Sequence, residues 1–199
     1  MDDLEFFDQF GVWIVPNFLP QEKVNELRSL LREARKVKSE IGIEGSKHKG
    51  LLDEQIRKSR NLVAPPEAEN YMQTQMLHLK PSCERKFSIP LSHYEGPQFL
   101  IYGPGDFFKL HRDFPSKNQN HSDKRKISIT LFLNDGAHNA EKDEFQGGQL
   151  VLNCPQQKGF VQLPLRGVAG ALIAFRSGVF HEVKPVIAGE RITLVGWFH

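Results

Sequence analysis

The chain has 199 residues, 39% hydrophobic and 25% charged, with a formal net charge of +2, values ordinary for one folded domain and giving no sign of a nucleic-acid partner. Its only cysteines, Cys83 and Cys154, exclude a disulfide framework or a Cys-rich zinc site and read as buried thiols. No apolar run approaches the roughly 18 residues that span a bilayer, and the acidic opening "MDDLEFFDQF" is unlike a signal peptide, so a cytoplasmic location and no membrane partner are expected.

Residues 11–18, "GVWIVPNF", form a short apolar run interrupted by Pro16, an edge strand at best. Pro20 then stands where a helix begins, and Val24, Leu27, Leu30, Leu31 and Ala34 mark one amphipathic face. Residues 38–62 are polar and predict a loop with short strands. After Pro65 and Pro66, the residues Ala68, Met72, Met76 and Leu79 predict a second helix over 67–79, stopping before Pro81. The methionines read as core filler.

From about residue 97 the pattern changes to short apolar or alternating runs separated by Gly, Pro, Asn or charge. They fall at 98–103, 107–113, 127–134, 149–153, 159–163, 171–175, 179–186 and 191–198. Such spacing predicts a β-sandwich or barrel, with the helices packed on one face in an α+β, mainly β fold. The turn Gly147–Gly148 leads into the strand at 149.

The stretch "HRDFPSKN" from His111 matches the protein-kinase catalytic loop H-R-D-x-x-x-x-N. The match is a coincidence: Gly103 and Gly105 lie too close before it to form a separate lobe, no D-F-G comes after it, and the remaining residues read as strands.

The same residues satisfy H-x-D, which on a strand turns an imidazole and a carboxylate to one side. A third ligand is available from His181 in "GVFHEVKPV". Two His and one carboxylate form the facial triad of non-haem Fe(II) oxygenases, with three coordination positions open. His48, His78, His93, His121, His138 and His199 lack such spacing. In "RITLVGWF", alternation puts Arg191, Thr193, Val195 and Trp197 on one face of an apolar strand. A buried guanidinium needs an anion, and Glu182 and Glu190 are in phase with solvent or turn. A small dicarboxylate that also chelates the metal would meet Arg191, with a hydroxyl added by Thr193.

With these parts in place, the chain resembles the Fe(II)- and 2-oxoglutarate-dependent dioxygenases of the prolyl 4-hydroxylase-like family. The resemblance runs from about residue 97 to the C-terminus through "QFLIYGPGDFFKLHRDF", "KRKISITLFLND", "FQGGQLVL" and "GALIAFRSGVFHEVKPVIAGERITLVGWF". The opening "GVWIVPNFLPQEKVNELRSLL" is similar to the family's first strand and support helix. The resemblance implies iron ligands at His111, Asp113 and His181. It also implies cofactor-binding roles for Arg191, Tyr102, Thr193 and Trp197, with Ser128, Thr130 or Phe132 where some relatives place a second Tyr.

The implied fold is a double-stranded β-helix, or jelly roll, over 97–199, with an N-terminal strand and support helices over 1–96, all within one domain. His111 and Asp113 are expected on one sheet and His181 on the opposite one. The loops 114–126 and 135–148 are expected to flank the mouth and cover substrate, with Arg176 at the entrance. No protein general base or nucleophile is expected.

The implied activity is hydroxylation of an unactivated C–H bond, with decarboxylation of 2-oxoglutarate to succinate and CO2. Fe(II) would be the metal, O2 a cosubstrate and ascorbate the reductant. The expected substrate is a prolyl residue of a peptide or protein, and the expected state is a monomer or homodimer. The alternatives are a hydroxylase of a free amino acid or small natural product, or a low-turnover sensing module of the same fold. A nucleic-acid demethylase would carry Arg where this chain has Ile187.

Overall fold

The computed structural model describes residues 7–39, 53–113 and 125–199. His48, His121 and most of the 114–126 loop lie outside the described residues.

Two antiparallel sheets face each other. In chain order the elements are β1 (Val12–Val15), α1 (Gln21–Leu31), β2 (Arg35–Lys38), β3 (Arg57–Lys58), β4 (Arg60–Val63), α2 (Pro66–Phe87), β5 (Tyr94–Tyr102) and β6 (Phe107–His111). They continue with β7 (Ile127–Phe132), β8 (Phe145–Gly147), β9 (Leu150–Pro155), β10 (Phe160–Leu165), β11 (Leu172–Arg176), β12 (Phe180–Val183), β13 (Val186–Gly189) and β14 (Arg191–Phe198). The large sheet runs β1-β11-β7-β14-β5-β4-β2, the smaller one β10-β9-β12-β6-β3, and β13 pairs with β8. From β5 to β14 the chain crosses repeatedly between the two sheets, which is the jelly-roll winding.

Strand alternation sends successive residues of the central strands to two different buried surfaces. On β7, Ile127, Ile129 and Leu131 join a core with the helices, whereas Ser128, Thr130 and Phe132 occupy the other phase, toward the smaller sheet. The helical side of that core holds Val24, Leu27 and Leu31 from α1 and Ala68, Met72 and Met76 from α2. Each large apolar side chain buried there contributes about 1.5–3 kcal/mol. The inner core, between the sheets, is built from Leu150, Leu152, Ile173 and Phe175 with their neighbours.

Four local expectations are corrected. Helix α1 ends at Leu31, and Ala34 lies in the following turn, its N–H bonded to the Leu31 carbonyl. Helix α2 passes through Pro81 and ends at Phe87, where Ser88 adopts a left-handed conformation. The proline removes the N–H that would meet the carbonyl of Leu77, a residue 48% exposed, so water can satisfy that carbonyl. Continuing the helix buries Cys83 and Phe87 on the stripe begun by Met72 and Met76. The run at 179–186 is two strands in different pairings, split at Lys184 and Pro185, and β8 lies inside the polar run 135–148. The other runs, the edge strand β1 and the two buried free thiols agree with expectation.

Candidate active site

His111 closes β6, and β12 runs antiparallel beside it with His181 directly opposite. The expectation of opposite sheets is therefore wrong for the histidines: they are a cross-strand pair on one sheet, ring centroids 4.1 Å apart. Asp113 lies two residues beyond β6, where the chain bends away toward the large sheet, so the ladder no longer sets its direction. Its N–H donates to the Ser177 carbonyl at 3.0 Å.

The three side chains converge. His111 Nε2 lies 3.7 Å from Asp113 Oδ1, and His181 Nε2 lies 3.5 Å from Asp113 Oδ2. One ligand atom from each residue fits within 4.8 Å of the others. Both imidazoles are oriented from behind: His111 Nδ1 is 2.7 Å from the Lys109 carbonyl, and His181 Nδ1 is 3.0 Å from that of Val179. A neutral ring that donates from Nδ1 keeps its lone pair on Nε2, the atom aimed into the cluster. Phe108 stacks on His111 at 3.5 Å, and Phe175 meets His181 edge-on at 4.9 Å.

Electrostatics favour a cation at this point. Burial, and then the facing His181, pushes the His111 imidazole well below its usual range, keeping it neutral. Burial alone would raise the Asp113 carboxyl. The imidazoles of His181 and His111 and hydrogen bonds from Ser128 and Trp197 outweigh it and hold the carboxyl ionised. Two imidazole nitrogens and one carboxylate match the donor set of a divalent non-haem metal site.

Across the cavity stands Arg191, the first residue of β14 and only 1% exposed. It pairs in register with Tyr102 of β5, and its guanidinium carbon lies 5.1 Å from that ring and 5.0 Å from the Phe132 ring. One terminal nitrogen donates to Thr193 Oγ1 at 3.1 Å, and Nε has no partner among the described residues. Burial pulls its pKa down to about 10. The two carboxylates near it in sequence are engaged elsewhere, Glu182 with Lys184 at 2.8 Å and Glu190 with Lys36 at 3.0 Å. A charged fork with no carboxylate among the described residues, facing a metal-type cluster, is built to receive an anion.

Six of the seven expected site residues (His111, Asp113, His181, Arg191, Tyr102 and Trp197) line this one cavity. Thr193 lies fully buried behind them, holding Arg191. Of the three candidates on β7, Ser128 bonds Asp113, Thr130 lines the cavity and Phe132 stacks on Arg191. Gly147 and Gly148 form the expected tight turn with φ of +75° and +60°, and Gly148 lies against the Arg191 stem. Arg176 is corrected: its guanidinium donates to the Phe87 carbonyl at the end of α2 instead of lining the mouth. Ser177 and Phe108 escaped the sequence reading, because neither belongs to a motif and both act through spatial neighbours.

The comparisons agree with this geometry. Residues 97–199 match the family model described as the 2OG-Fe(II) oxygenase superfamily. A PKHD-type hydroxylase of Shewanella sp. (strain ANA-3) is 30% identical over 92% of this chain and 75% of its own. The crystal structure of a Pseudomonas putida prolyl-4-hydroxylase superposes with a TM-score of 0.71 at 28% identity, covering 98% of this chain and 96% of that one. The same fold appears in a Trichoplax adhaerens prolyl hydroxylase solved with a hypoxia inducible factor peptide, with a TM-score of 0.72, 20% identity, and coverage of 98% and 86%. The chain belongs to the 2OG-Fe(II) oxygenase superfamily and is a dioxygenase of its prolyl 4-hydroxylase-like branch.

Proposed function

We propose that the protein hydroxylates a prolyl residue of a peptide or protein. His111, Asp113 and His181 hold Fe(II), and Arg191 with Thr193 receives the far carboxylate of 2-oxoglutarate. When bound, the iron with 2-oxoglutarate and O2 supplies the C–H oxidation and releases succinate and CO2, with ascorbate as reductant.

The chain's own residues hold and orient. The two Nε2 atoms and the Asp113 carboxylate would supply three ligands to the ion and leave room for the cosubstrate and O2. The Arg191 fork sets the direction of the dicarboxylate, with Tyr102 and Phe132 packed on the guanidinium. Leu100, Leu150, Phe175 and Val195 give the cavity apolar walls that limit water. No side chain is needed as a general base.

The single observation that carries this reading is the buried Arg191, without a carboxylate partner among the described residues, on the far wall of a cavity that also holds the His-Asp-His cluster. The prolyl substrate is supported by the likeness to the Pseudomonas putida prolyl-4-hydroxylase. Mass spectrometry of proline-containing peptides and free amino acids, incubated with enzyme, Fe(II), 2-oxoglutarate and ascorbate, is the test. A gain of one oxygen on a prolyl residue with matching succinate is the expected result. Oxygen gained only by free amino acids would replace the substrate assignment, and no succinate from any mixture would remove the activity.

A further inference from the structure

We propose that Ser128 is a positioning residue for the metal site, anchoring the Asp113 carboxylate from the opposite sheet so that a single carboxylate oxygen faces the ion. The inference rests on the metal role assigned above to His111, Asp113 and His181.

The two histidines are oriented by carbonyls of their own sheet, Lys109 and Val179. Asp113 has no such support, because β6 ends at His111. Its anchors come from the large-sheet side, where the Trp197 side chain of β14 also hydrogen-bonds the carboxylate. Ser128, on β7, donates to Asp113 Oδ2 at 2.7 Å, and Ser177, just past β11, accepts the Asp113 N–H. The two serine hydroxyls lie 3.0 Å apart. Ser128 is 2% exposed and Ser177 is fully buried, so neither hydroxyl has water to fall back on. No Lys or Arg pairs with Asp113 among the described residues; its ion-pair neighbours are the two histidines.

A carboxylate on a flexible side chain can offer an ion one oxygen or both. A short hydrogen bond to Oδ2 occupies lone-pair density on that oxygen and pins the carboxylate plane, leaving Oδ1 as the better donor. The distinction matters here because two-oxygen chelation would consume one of the three positions that the reaction needs open. Partners that orient a ligand in this way typically contribute 10–100-fold in metal affinity.

Mn(II) alone is the probe, titrated into the metal-free full chain. Free Mn(II) is read by electron paramagnetic resonance, and inner-sphere water on the bound ion by water-proton relaxation. Ser128→Ala is expected to weaken Mn(II) binding about 10–100-fold and to lower the relaxation enhancement per bound ion, as the freed carboxylate displaces a water. Ser128→Thr, which keeps the hydroxyl, is expected to restore both. Ser128→Cys, close in size but a poor donor, repeats the test should the alanine variant not fold. Unchanged affinity in Ser128→Ala and Ser128→Cys overturns the positioning role, and weakened affinity with unchanged relaxation overturns the single-oxygen assignment. His181→Ala separates this from the reading beneath it. If that variant binds Mn(II) as well as the parent, the metal site itself is wrong. If it loses binding while Ser128→Ala does not, only the role of Ser128 falls.

Discussion

Arg191 and Tyr102 face each other across β14 and β5, in register, with the guanidinium 5.1 Å from the phenol ring and no carboxylate paired with it among the described residues. A buried cation is retained in this way only where something outside the chain completes it, and the consequences can be measured.

Arg191→Ala should raise the 2-oxoglutarate requirement about 10–100-fold, the equivalent of losing a charge-assisted contact of about 1.5–3 kcal/mol. Mn(II) affinity should stay within about threefold, since Arg191 does not contact the ligand cluster. Because the charge is buried without a counter-ion, Arg191→Met should melt no lower than the parent when both are ligand-free. An unchanged KM for 2-oxoglutarate would remove Arg191 from its role.

Substituting any one of His111, Asp113 or His181 by Ala should abolish succinate production and reduce Mn(II) binding below detection at micromolar protein. Two ligands hold a divalent ion only weakly. Equilibrium dialysis decides the matter independently of turnover, and an Asp113→Ala variant that keeps stoichiometric metal would break the assignment.

The turn before β9 separates stability from cosubstrate binding. A Cβ on Gly147 would lie 2.5 Å from the Pro185 carbonyl oxygen, a backbone atom that cannot yield. A Cβ on Gly148 would lie 3.0 Å from Arg191 Cδ and from Val186. Both glycines have positive φ, so either substitution is strained by roughly 1–2 kcal/mol. Gly147→Ala should give the larger drop in melting temperature. Gly148→Ala should give the larger rise in KM for 2-oxoglutarate, because it displaces the guanidinium. Calorimetry and steady-state kinetics on the pair would show the reverse order if Gly148 did not buttress Arg191.

Stability should depend on pH through Glu95, which bonds both Arg125 and His199 Nε2. Burial pushes the Glu95 carboxyl up, but the hydrogen bond and charge of Arg125, with help from His199, carry it below its usual value. A carboxyl lowered on folding stabilises above its unfolded pKa, and that stability is lost as pH falls through its folded pKa. Because Glu95 is a third exposed, about 1 kcal/mol is at stake. Glu95→Gln should therefore melt about 2–4 °C below the parent at pH 7, and the gap should close in acid, as pH falls through the lowered folded-state pKa. A gap of equal size at neutral and acid pH would assign the loss to packing.

Much of the site was legible in the amino-acid order because the information is local. Period-two alternation pointed Arg191, Thr193, Val195 and Trp197 to one face, and the chemistry of two imidazoles and a carboxylate named the class of metal. Polar residues in apolar strands stood out because burying them is costly. What the order of residues could not tell was which strands would become neighbours. The pairing of His181 with His111 on one sheet, the reach of Ser128 across to Asp113, and the stacking of Tyr102 and Phe132 on Arg191 depend on register between segments far apart in the chain. The passage of α2 through Pro81 was likewise decided by burial of Cys83 and Phe87 against the rest of the fold, which outweighs a local helix penalty of about 3 kcal/mol. Local pattern selects side chains and their faces; only long-range packing selects the partners those faces meet.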